Sequence, residues 1–376
     1  MKLKKITALL LSSALMLTLF AGCSSGNSAS PAASSASPSA SADASKRTIT
    51  DMAGREVEIP ATVNKVATIG ATARMLTYAG CADKIVGLTD LEKKCDAGMP
   101  YCYVNADKFK NLTSVASGGA SSETYEETLA SLKPDLIFTS FSDINEVETM
   151  QQKLGIPVVA LSYKGIFSDS VYEALALVGD IMGTQKRCTE LTAAMKGWQK
   201  DLNDRTKDIP DANKPAVYAG AVSFSGGHGI EGTYGKYPPF VAINAKNVVD
   251  ETGKDGSLLI DKEKLVAWDP DIIFLTPGNM NLVNEDYKTN PNYYNNLKAV
   301  KNGKVYSQIN YNYYGTNIEL AIADAYYAGT IIYPDKFSDL DFEKKADEVF
   351  KEMIGQPYMQ VLKDNGNNFG TVVIGK

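Results

Sequence analysis

The sequence predicts an α/β protein with two Rossmann-like lobes, each built on a mainly parallel sheet, joined by a long single helix with a ligand cleft between the lobes. Three observations predict this fold class. Buried-strand patterns alternate with helical patterns, as in parallel sheets covered by helices. Two segments far apart in the chain repeat one helix–strand pattern. Between them lie two amphipathic helical patterns that can connect the halves.

The first residues have the pattern of a leader for export. Residues 1–22 contain three lysines followed by an apolar stretch shorter than the roughly 20 residues that span a bilayer. The sequence "LFAGC" ending at Cys23 resembles the lipobox of bacterial lipoproteins, in which the cysteine carries lipid. An ordinary cleaved signal is the alternative. We expect an extracytoplasmic protein, lipid-anchored through Cys23 at the outer face of the cytoplasmic membrane or in the periplasm.

The rest of the chain divides by composition and pattern. Residues 23–46 contain Ser, Ala and Pro but no large apolar side chain, which predicts a flexible tether. The folded part is predicted to contain an N-terminal lobe, connecting helices, a C-terminal lobe, and a C-terminal helix and tail at residues 47–165, 166–210, 211–340 and 341–376.

The N-terminal lobe begins with a predicted hairpin. Residues 48–60, "TITDMAGREVEIP", alternate apolar and polar side chains around Ala53 and Gly54. The next segment, "KVATIG", predicts a short buried strand. "ATARMLTYAGCADKIVGL" then predicts a helix and a second strand, which is the start of a parallel sheet.

The repeated segments are "ETLASLKPDLIFTSF", which begins at Glu127, and "EKLVAWDPDIIFLTP", which begins at Glu263. Each starts with glutamate, continues at helical spacing to a Pro-Asp pair, and then enters a run typical of a buried strand. One such unit in each half predicts two similar lobes.

Two helices are predicted between the lobes, with Gly183 separating them and Ser168 and Thr184 as N-caps. Their apolar stripes are Val171, Leu175, Val178 and Met182, and Leu191, Met195, Trp198 and Leu202. A helical bridge limits how far two lobes can hinge.

After the second lobe, residues 341–376 begin as an amphipathic helix that we expect to pack on a lobe.

Composition excludes several functions. The chain has 38 basic and 44 acidic residues and no basic patch, which excludes nucleic acid as a partner. His228 is the only histidine, and no Gly-x-Ser-x-Gly motif accompanies it, so we predict that the protein is not an enzyme; an exported hydrolase is the alternative. A disulfide between Cys95 and Cys102 is compatible with export but not fixed by the sequence.

With these features, residues 47 to about 350 resemble the substrate-binding lipoproteins of ABC importers for iron complexes (siderophore or haem) and cobalamin. The resemblance is carried by "TITDMAGREVEIP", "LASLKPDLIF" and "NPNYYNNLKAVKNGKVYSQI". It implies a monomer with a shallow cleft, no intrinsic cofactor, and membrane permease and ATPase subunits as partners. Glu127 and Glu263 stand where that family's two permease-docking glutamates stand. A sensor that does not import its ligand is the alternative.

Ligands of strand–helix lobes bind at the loops after the carboxyl ends of strands. This rule, with the resemblance, gives candidate ligand-binding residues, which are Arg74, Tyr101, Tyr103, His228, Tyr234, Tyr311, Tyr313 and Tyr314.

The predicted cleft is rich in phenols, which suits a large metal complex such as a ferric siderophore, haem or a corrinoid. A bare transition-metal ion requires more imidazoles or carboxylates than this set offers. Three roles stay open for His228, namely metal ligation, contact with the ligand, and support of its loop. A cleft position for Arg74 favours a ligand that carries carboxylates or net negative charge.

Overall fold

The computed structural model describes residues 45–119, 122–140 and 143–376. The leader, Cys23 and nearly all of the predicted tether lie outside these residues. No helix in the described part of the chain has the length and apolar character needed to cross a membrane.

The predicted hairpin is confirmed. Strand β1 (Lys46–Thr50) pairs antiparallel with β2 (Glu56–Pro60), which places Ile49 opposite Val57. The Asp51 carboxylate closes the turn because it accepts hydrogen bonds from the backbone amides of Ala53 and Arg55. It also accepts one from the Ala160 amide at 3.1 Å, which joins the hairpin to the first lobe.

The first lobe contains a five-stranded sheet with the order β5-β4-β3-β6-β7, and every pair is parallel. Its strands are β3 (Val66–Ile69), β4 (Ile85–Thr89), β5 (Thr113–Ala116), β6 (Leu136–Ser140) and β7 (Val158–Leu161). Its helices are α1 (Ala73–Tyr78), α2 (Asp90–Lys93), α3 (Pro100–Tyr103), α4 (Ala106–Phe109), α5 (Glu126–Leu132) and α6 (Ile144–Leu154).

Helices α7 (Asp169–Met182) and α8 (Gln185–Thr206) connect the lobes. Gly183 separates them in the left-handed conformation, with φ of 73°, which glycine adopts readily. Ser168 and Thr184 occupy the N-cap positions, but neither side chain accepts a helix N–H group. The 22 residues of α8 extend over about 33 Å, so this helix forms the bridge.

The second lobe also contains a five-stranded sheet, in the order β10-β8-β12-β13-β14, and only the last pair is antiparallel. Strands β9 and β11 form a separate antiparallel pair. The strands are β8 (Ala216–Gly220), β9 (Gly232–Gly235), β10 (Lys246–Asn247), β11 (Gly256–Leu259), β12 (Ile272–Leu275), β13 (Val305–Ser307) and β14 (Gly370–Thr371). The helices are α9 (Pro238–Ala242), α10 (Lys262–Trp268), α11 (Met280–Thr289), α12 (Pro291–Asn296), α13 (Lys298–Lys301), α14 (Ile318–Ile332), α15 (Phe342–Ile354) and α16 (Met359–Asp364).

The C-terminal segment packs on both lobes. Helix α15 buries Ala346, Val349, Phe350 and Met353 and lies against α14 and α1. Helix α14 is buried along nearly its whole length, including Tyr326 and Tyr327. The four described cysteines are buried free thiols, so Cys95 and Cys102 are not joined by a disulfide.

The two repeated segments have the same local structure. Helices α5 and α10 each end in a left-handed residue, Lys133 and Asp269, before the Pro-Asp pair. The Asp135 carboxylate accepts hydrogen bonds from the amides of Asn64 and Lys65, at 2.7 and 2.9 Å, just before β3. Asp271 accepts one from Ala216 at 2.8 Å, where β8 begins. In each lobe the aspartate therefore fixes the start of the neighbouring strand.

Asp135→Ala should destabilise the protein by about 1 kcal/mol, because two backbone N–H donors lose a charged acceptor but remain accessible to water. Urea unfolding of both proteins measures this difference. Asp107→Ala, which removes an exposed carboxylate of the same lobe, serves as the control and should have little effect. Equal effects of the two substitutions would contradict the assigned role of Asp135.

Candidate ligand-binding cleft

A cleft of about 1090 Å³ lies between the two lobes. It is formed by loops that follow the carboxyl ends of strands, as predicted for this fold class. The first lobe contributes the segments after β3, β4, β5 and β7 together with Ser140 at the end of β6, and the second contributes the loops after β8, β12 and β13. The lining positions are 70, 71, 74, 91, 96, 98, 119, 140, 161–165, 223–226, 234, 278, 279, 309, 310, 312–316 and 367.

Arg74 reaches the cleft from the inside of the protein. It lies on α1 and is only 1 % exposed. Its Nη2 atom donates to the carbonyl of Tyr314 at 2.8 Å and to Oδ1 of Asn317 at 3.2 Å, both in the second lobe. Its guanidinium also lies 4.6 Å from the ring centre of Tyr101. Arg74 therefore joins the lobes and places a positive charge at the cleft wall.

A second buried contact between the lobes lies one helical turn away. The hydroxyl of Tyr78, on α1, donates to the carboxyl of Glu319, on α14. The same hydroxyl oxygen accepts from the amide of Ile318 at 3.3 Å. The side chain of Asn317 adds a hydrogen bond to the carbonyl of Gly98 at 3.2 Å. These contacts fix the second-lobe loop before α14 against the first lobe.

Four of the eight predicted ligand-binding residues line the cleft, namely Arg74, Tyr234, Tyr313 and Tyr314. Tyr163 and Phe224 add two further aromatic side chains to the wall. The cleft thus has rings from both lobes, together with the short polar side chains of Ser, Thr and Asn residues. This combination offers broad contact area and many hydrogen-bonding groups to a ligand.

The other four predicted residues lie behind the wall. Tyr101 is fully buried, and its hydroxyl donates to Glu92 at 2.9 Å. Tyr103 packs edge-on against Tyr358, with ring centres 5.7 Å apart. Tyr311 is buried against Tyr237 at 5.6 Å.

The only histidine, His228, is half-buried within its own loop. Its Nε2 atom donates to the carbonyl of Phe224 at 2.8 Å, which places a proton on that nitrogen. The imidazole stacks on the Phe224 ring at 4.0 Å. A Cβ atom at Gly232 would lie 2.4 Å from the Cβ of His228, so only glycine fits beside it. His228 supports Phe224, which lines the cleft, and is not itself part of the lining.

Charge in the cleft favours anions. Arg74 and the exposed Lys164 bring two positive charges, and Asp96 brings one negative charge. Oδ1 of Asp96 already accepts a hydrogen bond from the amide of Gly98 at 2.7 Å. Among the described residues, no group of three or more His, Cys, Asp or Glu side chains is arranged to hold a metal ion.

Three buried carboxyls lie behind the cleft. Burial raises the pKa of Glu92, of Glu319 and, most strongly, of Asp324. Asp324 accepts a hydrogen bond from the amide of Ile309 at 3.0 Å, which lines the cleft, while its Oδ2 atom has no partner. A protonated Asp324 is the form that this apolar site favours.

Tyr163 and Lys164 were missed by the sequence analysis, although a signal for them exists. They lie just after "IPVVAL", a buried-strand pattern that contains β7. The rule that located the other loops applies to this strand as well, since it ends at the same edge of the sheet.

The predicted docking glutamates occupy equivalent positions. Glu127 and Glu263 are exposed and lie in the first turns of α5 and α10. A helix that precedes a strand of a parallel sheet runs antiparallel to it, so it begins at the edge where the strands end. Both carboxylates therefore lie on the side of their lobe where the cleft opens.

Comparison with known proteins agrees with this architecture. The sequence pattern of the periplasmic binding protein family matches residues 66–308. The chain belongs to this family. A periplasmic solute-binding protein from Veillonella parvula has the same fold, with a TM-score of 0.69, 21 % identity, and coverage of 85 % of this chain and 96 % of that one.

Two relatives are named for what they bind. The molybdate-binding protein MolA of Haemophilus influenzae is 25 % identical over 338 residues, which is 83 % of this chain and 92 % of that protein. The Fe(3+)-citrate-binding protein YfmC of Bacillus subtilis is 29 % identical over 196 residues, which is 50 % of this chain and 58 % of that protein. The relatives are solute-binding proteins rather than enzymes. The predicted class, a substrate-binding protein of an ABC importer with a two-lobed fold, is confirmed.

Asp324→Asn should remove a pH-dependent loss of stability. Because folding raises the pKa of Asp324, the folded protein keeps a proton that the unfolded chain releases above about pH 4. The free energy of unfolding of the wild type should fall relative to that of Asp324→Asn as pH rises from about 4. The slope is ~1.4 kcal/mol per pH unit until the folded-state pKa is reached.

Urea unfolding of both proteins between pH 4 and pH 9 measures this difference. Asp208→Asn, at an exposed site, is the control for the substitution itself. A difference that stays constant over this range would show that Asp324 does not titrate as described.

Proposed function

We propose that this substrate-binding protein captures an anionic ferric complex, such as a ferric siderophore or a ferric carboxylate chelate, and delivers it to an ABC permease. One observation carries the proposal. A buried cation, Arg74, and phenol rings from both lobes line the same cleft of about 1090 Å³. Small-molecule sites usually measure about 300–1,000 Å³, so this volume suits a large ligand.

The charges support an anionic ligand with carboxylate or similar oxygens. A guanidinium in a low-dielectric wall forms strong hydrogen bonds to such oxygens, and Lys164 adds charge at the cleft surface. A relative named for ferric citrate agrees with this class. Haem and a corrinoid are the alternatives within the same metal-complex class. Because His228 bonds to its own loop, its geometry favours a ligand held by phenols and cations over one held by an axial imidazole.

Molybdate is a second candidate, because MolA matches most of this chain and of its own length. The positive charge of Arg74 suits an oxyanion as well. The cleft is much larger than a single tetrahedral anion, which favours the ferric complex. Direct comparison of the two ligands separates these candidates.

Titration calorimetry with ferric citrate, a ferric hydroxamate siderophore, haem, cobalamin and molybdate tests the proposal. We expect a ferric complex to bind at micromolar concentration or below. Lys164→Gln should weaken binding about three- to tenfold at low salt and less at high salt, because its charge is exposed and screened. Lys186→Gln removes a fully exposed lysine of α8 and should change nothing.

His228→Ala should bind the ferric complex like the wild type. Loss of binding in this variant, with haem or cobalamin as the preferred ligand, would instead assign an axial role to the imidazole. Binding of molybdate alone would overturn the ferric proposal in favour of the second candidate.

We further propose that Glu127 and Glu263 dock onto the permease, with Cys23 as the lipid anchor. Both carboxylates are exposed at the side where the cleft opens, one on each lobe. An ABC permease bound there would face the mouth of the cleft. Neither residue has a salt bridge among the described residues, which leaves both carboxylates open to cationic partners.

The double variant Glu127→Gln/Glu263→Gln should keep the ligand affinity of the wild type and lose most stimulation of ATP hydrolysis by the reconstituted importer. The neighbouring pair Glu126→Gln/Glu285→Gln, also exposed, provides a control with the same charge change. Equal stimulation by both double variants would contradict the docking role.

A further inference from the structure

Tyr314 holds an unusual position at the tip of a second-lobe loop. The loop is closed by a bridge between Asn312 and Thr316, and Tyr314 lies in it with φ of 51°, which is a left-handed conformation. The side chain extends into the first lobe, where its hydroxyl is buried without a well-formed hydrogen bond. Burial, and to a smaller extent Glu92, raises the pKa of Tyr314 to about 12. The hydroxyl is therefore neutral and poorly solvated.

The surroundings of this hydroxyl offer hydrogen-bond donors. The backbone amides of Ala71 and Gly119 lie beside it. The side chain of Thr89 lies there as well, but its hydroxyl proton is donated to Glu92. Ala71 and Gly119 have φ of 64° and 87°, so the loops after β3 and β5 are both left-handed here. Among the described residues, neither amide donates to another backbone group. Concave groups of backbone amides of this kind bind anions in proteins.

Arg74 adds a charged donor at the same place. It is 1 % exposed, and its Nη1 atom has a long contact of 3.5 Å with the hydroxyl of Tyr163. A Cβ atom at Gly315 would lie 3.2 Å from Nη1, so the glycine keeps space open beside the guanidinium. A buried cation with a weakly occupied donor is a second, independent indication of an anion site.

The Glu92 carboxyl lies behind this pocket and is already engaged. Its two oxygens accept hydrogen bonds from the hydroxyls of Thr89 and Tyr101 at 2.8 and 2.9 Å. Burial raises its pKa, which favours the uncharged form when an anion approaches. In its uncharged form, Glu92 does not repel an anion that binds next to Thr89.

We propose that the amides of Ala71 and Gly119 and the guanidinium of Arg74 form a subsite for an anionic oxygen of the ligand, and that Tyr314 fills this subsite until the ligand displaces it. The anionic oxygen belongs to a carboxylate of a metal chelate or to a free oxyanion. The subsite rests on the proposed function, since it belongs to the same cleft. An anion forms stronger, charge-assisted hydrogen bonds with these donors than a misaligned neutral phenol does.

The geometry explains how Tyr314 is displaced. Tyr314 and Gly315 are at the tip of a short closed loop, and both have positive φ. The base of the loop is fixed, because Asn317 donates to the carbonyls of Tyr311 and Tyr313 at 3.0 and 3.1 Å. Rotation at the tip moves the ring without moving the base or separating the lobes.

The test compares Tyr314→Ala with Tyr313→Ala, which shortens the adjacent cleft tyrosine of the same loop. Molybdate represents a free oxyanion and ferric citrate a chelate carboxylate, and each is titrated into the wild type and both variants. Tyr314→Ala should bind at least one of these probes about tenfold or more tightly than the wild type, because no side chain competes. Tyr313→Ala should not gain affinity. The probe that gains affinity identifies the source of the anionic oxygen.

A second readout does not depend on the variants folding. The ¹⁹F signal of 3-fluorotyrosine placed at position 314 should shift towards that of a solvent-exposed ring when the probe is added. The same label at position 218, where the ring is buried in the core of the second lobe, should not change.

Each outcome decides the proposal. Unchanged affinity in Tyr314→Ala, or a ¹⁹F signal that stays in place while ferric citrate binds the wild type, overturns the subsite and leaves the proposed function intact. Molybdate binding to Tyr314→Ala when the wild type binds no ferric complex supports the subsite and overturns the ferric proposal. Failure of both probes with all three proteins overturns the subsite, and the proposed function is overturned as well if the ferric hydroxamate siderophore also fails to bind the wild type.

Discussion

The buried guanidinium of Arg74 is the interaction on which the site depends. A charge removed from water must be paired or hydrogen-bonded, and Arg74 meets this requirement through the carbonyl of Tyr314 and the side chain of Asn317. Both partners belong to the second lobe. The requirement to solvate one charge is therefore met across the boundary between the lobes, and the Tyr78–Glu319 contact adds a second buried hydrogen bond there. These buried contacts join the lobes at the cleft, in addition to the connection through α8.

The architecture was predictable because its signals are periodic. Alternation of strand and helix patterns gave the two sheets, and the Pro-Asp repeats marked equivalent units in both lobes. The repeat also has a physical role that the pattern did not reveal, because Asp135 and Asp271 bind backbone amides at the start of neighbouring strands. Gly183 was correctly predicted to end a helix, because the left-handed conformation that it adopts depends on the residue itself and not on distant packing.

The direction of side chains was less predictable. The same loop rule proposed Tyr101 and Tyr314, yet the first is buried in the core and the second reaches the cleft. A loop assignment gives the position of the backbone, whereas the choice between wall and core depends on packing from distant segments. His228 illustrates this, because its partner is the carbonyl of Phe224, four residues earlier, and a backbone acceptor has no sequence signature.

The antiparallel strand β14 has a consequence for how the protein matures. It pairs with β13 at the edge of the second sheet, and Asn367, just before it, lines the cleft. Residues near 370 are synthesised after every other part of the cleft. A chain that emerges from a translocon in sequence order thus cannot complete its ligand site until these residues arrive. The wall of the cleft is therefore complete only after the last strand of the chain has paired with β13.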